Sequence, residues 1–202
     1  MSPKVIDKNL KKIEILEAAM KVFAQKGIAN TKMADVAKAA MVGKGTIYEY
    51  FKSKEEIVNE GYVYFMDKIN TIMAKQLYKV FDPIEKLKAI MTGWVRLIED
   101  TSIDFLGIMM DFWAEGIRRR EEDSIFNLKQ LYAENRQLII EILEEGIAKG
   151  KIRAVDSTIA ASIIIGALDG LFLQWLVDQD LFRFEESSEV FIKTFLQGLQ
   201  IS

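Results

Sequence analysis

The amino-acid sequence predicts an all-α protein, with a three-helix head at the N-terminus and a larger helical bundle behind it. Three observations carry that expectation. Apolar residues recur at three- and four-residue steps, and no alternating strand pattern of useful length occurs. Only two prolines, Pro3 and Pro83, interrupt 202 residues, and half of the residues are hydrophobic. Such a chain forms long helices with short joints and buries a substantial core.

The elements follow in order. From Lys8 to Lys26 the residues Ile13, Leu16, Met20 and Phe23 mark an amphipathic helix, with Ala19 and Ala24 beside them. Gly27 is placed to end it in the left-handed conformation. Asn30 and Thr31 offer cap oxygens for a short second helix carrying Met33, Val36, Ala37 and Ala40. A turn at Met41 to Gly43 leads to a third helix ending near Tyr50, with Ile47 and Phe51 inward. Ser53-Lys54-Glu55-Glu56 reads as a capping box opening a fourth helix. No breaker follows until Asp82-Pro83, so it could run about 27 residues, or about 40 Å. Further helices are expected from Ile84 to Glu99, Ile103 to Arg118 (capped by Thr101 or Ser102), Ser124 to Lys149, Asp156 to Gln179 and Glu185 to Leu199.

Composition removes several chemistries. There is no cysteine and no histidine, so disulfides, thiolate or imidazole metal sites and histidine-based triads are excluded. No metal and no cofactor is expected. The cysteine-free composition and the absence of an export signal fit a cytoplasmic protein. Ser157 to Val177 is long and apolar enough to span a membrane. Asp169 lies within it, at an insertion cost of roughly 2.5–3.5 kcal/mol, and no basic cluster flanks it. A buried bundle helix is the expectation, with no membrane partner.

The net charge of −3 conceals an asymmetry. Residues 1–54 hold eleven lysines against Asp7, Glu14, Glu17, Asp35 and Glu49, a balance of +6, which leaves −9 for the rest. A basic head on an acidic body suits a nucleic-acid binder with a separate second function. The short helices across residues 31–51 have the size of a helix-turn-helix pair, whose second helix enters the major groove of double-stranded DNA. Facing outward from that second helix are Gly43, Lys44, Gly45, Thr46, Tyr48, Glu49 and Tyr50. Small residues at its start let the backbone approach a phosphate, and hydroxyls and lysines, including Lys52 and Lys54, supply hydrogen bonds and charge. A plain helical hairpin with solvated lysines is the competing interpretation.

Residues 15–58, ILEAAMKVFAQKGIANTKMADVAKAAMVGKGTIYEYFKSKEEIV, resemble the DNA-binding domain of the TetR family along their whole length. Matching features are Phe23 and Gly27, Val36-Ala37, Ala39-Ala40, Gly45-Thr46-Ile47-Tyr48, Tyr50-Phe51 and Lys52-Ser53-Lys54-Glu55-Glu56. The resemblance implies a homodimeric regulator, usually a repressor, whose C-terminal helices bind a small ligand and dimerise. It divides the chain into a DNA-binding domain, 1–54, and a ligand-binding and dimerisation domain, 55–202. By position it implies phosphate contacts at Tyr48, Tyr50, Lys52 and either Thr31 or Lys32. Val42, Lys44, Gly45, Thr46 and Glu49 form the groove-facing set. Met41 stands where the family usually has a turn glycine and Gly43 where it usually has a serine cap, and Lys32 replaces one of a frequent threonine pair. Losing the serine weakens the cap by only a few tenths of a kcal/mol.

Met91, Trp94, Phe105, Met109, Met110, Phe112, Trp113, Phe126, Tyr132, Phe172 and Trp175 make the body rich in large adaptable side chains. Each is explicable as core; as a set inside a TetR-like body they suggest a pocket for a small apolar or amphipathic ligand. Its expected wall is Phe65, Ile69, Met73, Trp94, Met109 and Trp113. Asp104, Asp111 or Asp169 could meet a cationic ligand, or each could be surface or paired. Small residues from Ala160 to Gly170, including Gly166, allow close helix approach. With Ile163, Leu171, Trp175, Phe191 and Phe195 they resemble the family's dimer face, an intramolecular bundle being the alternative. A two-fold dimer matches an inverted-repeat operator. An enzyme would have to work with carboxylates, lysines or tyrosines alone, and no paired carboxylates or phosphate-cradling loop appear.

Overall fold

The computed structural model describes residues 8–99, 103–118 and 127–201; some helical side chains, those of Phe65 and Met73 among them, lie outside the description. The described residues form nine helices and no strand: α1 (Lys8–Lys26), α2 (Met33–Ala39), α3 (Lys44–Tyr50), α4 (Lys54–Leu77), α5 (Pro83–Glu99), α6 (Ile103–Arg118), α7 (Leu128–Ala148), α8 (Ser157–Val177) and α9 (Phe184–Leu199). The all-α expectation is met. The chain divides into two compact units, Met1–Lys68 with Thr101–Leu128, and Ile69–Asp100 with Lys129–Ser202.

In the first unit α1 lies against α2 and α6, and α2 against α3. Gly27 ends α1 at φ +75°, and its N–H donates to the Phe23 carbonyl at 2.7 Å. The start of α2 differs from expectation. Lys32, not Asn30 or Thr31, is the cap residue, and the Asp35 carboxylate accepts its N–H at 2.9 Å. Asn30 and Thr31 instead donate to the carbonyls of Lys26 (3.1 Å) and Gly27 (2.9 Å). The left-handed turn leaves those carbonyls without helical partners, and they are the nearest acceptors. Ser53 caps α4 through the Glu56 N–H at 3.2 Å, while the Glu56 carboxylate takes the Lys52 N–H rather than that of Ser53. The core of this unit includes Ile15 and Val22 as well as Leu16, Met20 and Phe23. The sequence reading missed the first two because α1 is covered from two sides.

In the second unit α5 and α8 both pack on α9. α4 ends at Leu77, earlier than the expected limit at Asp82, giving 24 residues and about 36 Å. Asp82 is committed to the next helix: its carboxylate accepts the N–H groups of Ile84 (2.9 Å) and Glu85 (3.2 Å). Lys151 pairs with the same carboxylate, which holds it below the usual carboxylate range. Trp94 of α5 meets Phe172 edge-on at 5.9 Å and Phe184 at 6.2 Å, and Trp175 stacks obliquely on Phe184 at 5.4 Å. The expected caps Thr101 and Ser102, and the expected α7 start at Ser124, lie outside the described residues.

α8 is long and apolar enough to cross a membrane by length and composition. The expectation of a buried bundle helix holds for one face only. Ala160, Ala161, Ile164, Leu168 and Phe172 are buried, whereas Ile159, Ile163, Leu173 and Val177 are exposed. A helix apolar on every side needs more cover than α9 supplies in one chain.

The α7–α8 joint fixes a close approach. Gly150, at φ +65°, ends α7, and the N–H groups of Lys151 and Ile152 return to the Gly146 carbonyl. Buried Ile152 then lies directly over Gly146, and Arg153 donates to the Leu199 carbonyl at 2.9 Å. A Cβ at position 146 would overlap Ile152 Cδ1 and stand 2.7 Å from Cγ1. Gly146→Ala is therefore expected to cost about 1–3 kcal/mol through overpacking, seen as a lower urea midpoint.

Candidate functional site

Helices α2 and α3 meet through Val36, Ala37, Ala40, Ile47 and Phe51, all buried. The connecting turn closes through Ala40 N–H to the Val36 carbonyl (2.9 Å) and Val42 N–H to that of Ala37 (3.0 Å). Gly43 caps α3 in an extended conformation, with no side chain in the cap. Met41, in this turn, has φ +53° and is 91 % exposed. For an L-residue that conformation costs roughly 1–2 kcal/mol, and glycine adopts it freely.

Of the residues expected to meet DNA, Lys32, Gly43, Lys44, Gly45, Tyr48, Glu49 and Lys52 are exposed, and Val42, Thr46 and Tyr50 are half-buried. Thr31 is different: it is 2 % exposed and its hydroxyl is spent on the Gly27 carbonyl. Lys32, the other residue of that pair, is exposed. The hydroxyls of Tyr48 and Tyr50 and the ammonium groups of Lys38, Lys44 and Lys52 bond to no other described residue. Lys54, by contrast, donates to the carbonyls of Ile28 (2.8 Å) and Ala29 (3.2 Å), holding the α1–α2 loop to the start of α4.

The charges of this unit are sorted. Asp35 is neutralised by Lys26 at 2.8 Å and by the Lys32 N–H, and these partners hold its carboxyl below the usual range. Of the two acids on α2 and α3, only Glu49 is then left without an ion-pair partner beside Lys32, Lys38, Lys44 and Lys52. Carboxylates gather elsewhere, in an open cleft of about 750 Å³ between α1 and α4 lined by Glu55, Glu56, Glu60 and Asp67. There Lys12 pairs with Glu60 at 2.6 Å and lies 5.3 Å over the Phe51 ring, and Tyr64 donates to Glu17 at 3.0 Å. The cleft is left with an excess of negative charge and the α2–α3 surface with an excess of positive charge.

The expected ligand-wall residues are not gathered in one unit. Met109 and Trp113, both half-buried, belong to the first unit; Ile69 and Trp94, also half-buried, belong to the second. Trp94 is engaged in the aromatic cluster with Phe184, which sequence reasoning missed because Phe184 opens α9 just ahead of the acidic run that marked its start. On the expected dimer face Ile163 and Gly166 are exposed, and Gly170, Leu171, Trp175, Phe191 and Phe195 are half-buried. A Cβ at Gly166 or Gly170 would meet nothing within 4 Å, and Phe191 and Phe195 lie 5.6 Å apart. Of the three candidate carboxylates, Asp104 lies outside the described side chains and Asp111 is exposed. Asp169 is paired: the Tyr132 hydroxyl donates to it at 2.6 Å. Burial pushes the Asp169 carboxyl above its ordinary value, against the pull of that hydrogen bond. The Tyr132 hydroxyl is also pushed up, by burial first and by the carboxylate second.

Residues 15–60 match the family described as bacterial regulatory proteins, tetR family, and residues 83–199 match the BetI-type transcriptional repressor C-terminal family. The fatty acid metabolism regulator protein of Bacillus subtilis is 23 % identical over 193 residues, covering 95 % of this chain and 97 % of that protein. The HTH-type transcriptional repressor KstR2 of Mycolicibacterium smegmatis is 29 % identical over 140 residues, 69 % of this chain and 66 % of that one. The structure of the transcriptional regulator FadR from Bacillus subtilis, in complex with stearoyl-CoA, superposes with a TM-score of 0.72 at 22 % identity, covering 93 % of this chain and 99 % of that one.

Because Asp169 binds its proton more tightly in the folded chain, its contribution to stability falls as pH rises from the ordinary carboxylate range through the raised value. Asp169→Asn keeps an acceptor for Tyr132 and has no charge to bury. It is expected to flatten that limb of the stability curve and to be the more stable form above it, as measured by urea unfolding between about pH 4 and pH 8.

Proposed function

Because this chain belongs to the TetR family of bacterial regulatory proteins and carries a BetI-type repressor C-terminal part, we propose that it is a homodimeric repressor released from an inverted-repeat operator by a small lipophilic effector. The observation that carries the DNA half of the reading is the α2–α3 pair. Unpaired Lys44, Lys52, Tyr48 and Tyr50 surround a helix start built from Gly43 and Gly45, while Asp35 is paired with Lys26 and Glu55, Glu56, Glu60 and Asp67 line the α1–α4 cleft. In this reading residues 1–54 are the DNA-binding domain. Lys32, Tyr48, Tyr50 and Lys52 contact phosphates, and Val42, Lys44, Gly45, Thr46 and Glu49 face the groove.

Residues 55–202 bind the effector and dimerise. Ile163, Gly166, Gly170, Leu171, Trp175, Phe191 and Phe195 form the dimer face, supported by the open apolar side of α8. Phe65, Ile69, Met73, Trp94, Met109 and Trp113 are the effector-binding residues. A relative named for fatty acid metabolism, and one solved with stearoyl-CoA, support an effector with a long apolar chain. Effector and operator select different conformations of the dimer, and α4, continuous from Lys54 to Leu77, is the covalent route between them. The protein acts in the cytoplasm, as a regulator and not as an enzyme.

Three measurements test this. Tyr48→Ala is expected to weaken operator binding about tenfold or more, the scale of a lost hydrogen bond to a charged group, with the dimer intact in sedimentation. Wild-type binding should also fall steeply with salt, as counterion release requires. Ile163→Arg places a charge on the proposed dimer face and is expected to weaken dimerisation about tenfold or more, shifting the sedimentation profile toward monomer.

A further inference from the structure

We propose that Met41 is a specificity-determining DNA contact whose thioether end packs against thymine C5-methyl groups beside the recognition helix α3. The inference rests on the DNA-reading role of the α2–α3 pair and goes beyond it by naming an apolar contact in the turn. Three observations meet at this residue. Its backbone is left-handed, at φ +53°, a conformation that glycine adopts freely and methionine does not. Its side chain is 91 % exposed, more than any other large apolar side chain among the described residues. The turn holds this backbone through Met41 N–H to the Lys38 carbonyl (3.2 Å) and Val42 N–H to that of Ala37 (3.0 Å), so the fold fixes a strained residue whose side chain it does not bury, a pattern found at functional sites.

The third observation is place. Met41 stands two residues before Gly43, the cap of α3, and Gly43 and Gly45 leave the helix start bare. A Cβ at Gly45 would meet nothing within 4 Å, and one at Gly43 only the Thr46 hydroxyl at 3.6 Å. A long unbranched side chain with three rotatable bonds can sweep that open space. In the major groove the thymine methyl is the one apolar handle among hydrogen-bonding edges, so a methionine there discriminates A·T pairs by contact with that methyl. Burying one methyl group corresponds to about fourfold in affinity.

The test selects a duplex from a random pool with the full-length wild-type dimer, then replaces each thymine by deoxyuracil, which lacks only the methyl. Affinities are read by anisotropy for wild type, Met41→Gly and Met41→Leu. Wild type is expected to lose about fourfold per half-site at one thymine position, and Met41→Leu to keep most of that sensitivity. Met41→Gly should bind the thymine and uracil duplexes equally, while melting at or above the wild-type temperature because its backbone strain is relieved. Wild type insensitive to uracil at every position, or Met41→Gly as sensitive as wild type, overturns the proposal while leaving the regulator reading intact. Failure of wild type to enrich any duplex overturns both.

Discussion

The α2–α3 pair depends on the burial of two side chains, Ile47 and Phe51, both fully inaccessible to solvent. α3 has seven residues, too few to hold a helical conformation in water by its own hydrogen bonds. It has no side chain in its N-cap, two glycines lie in or before its first turn, and its start carries no acid. Nothing local stabilises it. Its shape is held by the burial of Ile47 on the side where α3 packs against α2, and of Phe51 where the chain leaves the helix. The surface that α3 presents is a consequence of what those two residues bury.

Around that anchor the polar interactions hold the first unit in register. Lys12 reaches both the Phe51 ring and Glu60, and Lys54 ties the two carbonyls after α1 to the start of α4. These are partly exposed contacts, each worth little by itself. Their joint effect is to engage both lysines inside the unit. Lys54 is the instructive case: by composition one more cation for DNA, in the fold a bracket for a loop. Thr31 is its counterpart, a hydroxyl that position assigns to a phosphate and that the turn at Gly27 directs inward.

In the second unit the same principle of satisfied burial has a different outcome on its two sides. The aromatic group of Trp94, Phe172, Trp175 and Phe184 fills the space among α5, α8 and α9. The opposite side of α8 keeps Ile159, Ile163, Leu173 and Val177 in solvent within one chain. That contrast explains why a hydrophobic helix carries an aspartate. Asp169 sits off the exposed apolar side, where the Tyr132 hydroxyl meets it.

The fold class, the helix-turn-helix pair and most helix limits were legible in the sequence, because they follow from periodicity and from local stop signals. Gly27 and Gly150 both adopt the left-handed conformation that ends a helix, and Asp156 caps α8 as its position suggests. What the sequence left open were matters of partner choice. Lys32 rather than Thr31 opens α2, Ile15 and Val22 join the core, and Phe184 rather than a residue further along anchors α9. Each depends on which atoms lie nearby in three dimensions: a free carbonyl, a second covering helix, an aromatic neighbour. Local pattern decides where a helix can run. Only the tertiary structure decides which of several equally suitable donors, acceptors and apolar faces is used, because each bond is set by proximity rather than by spacing along the chain.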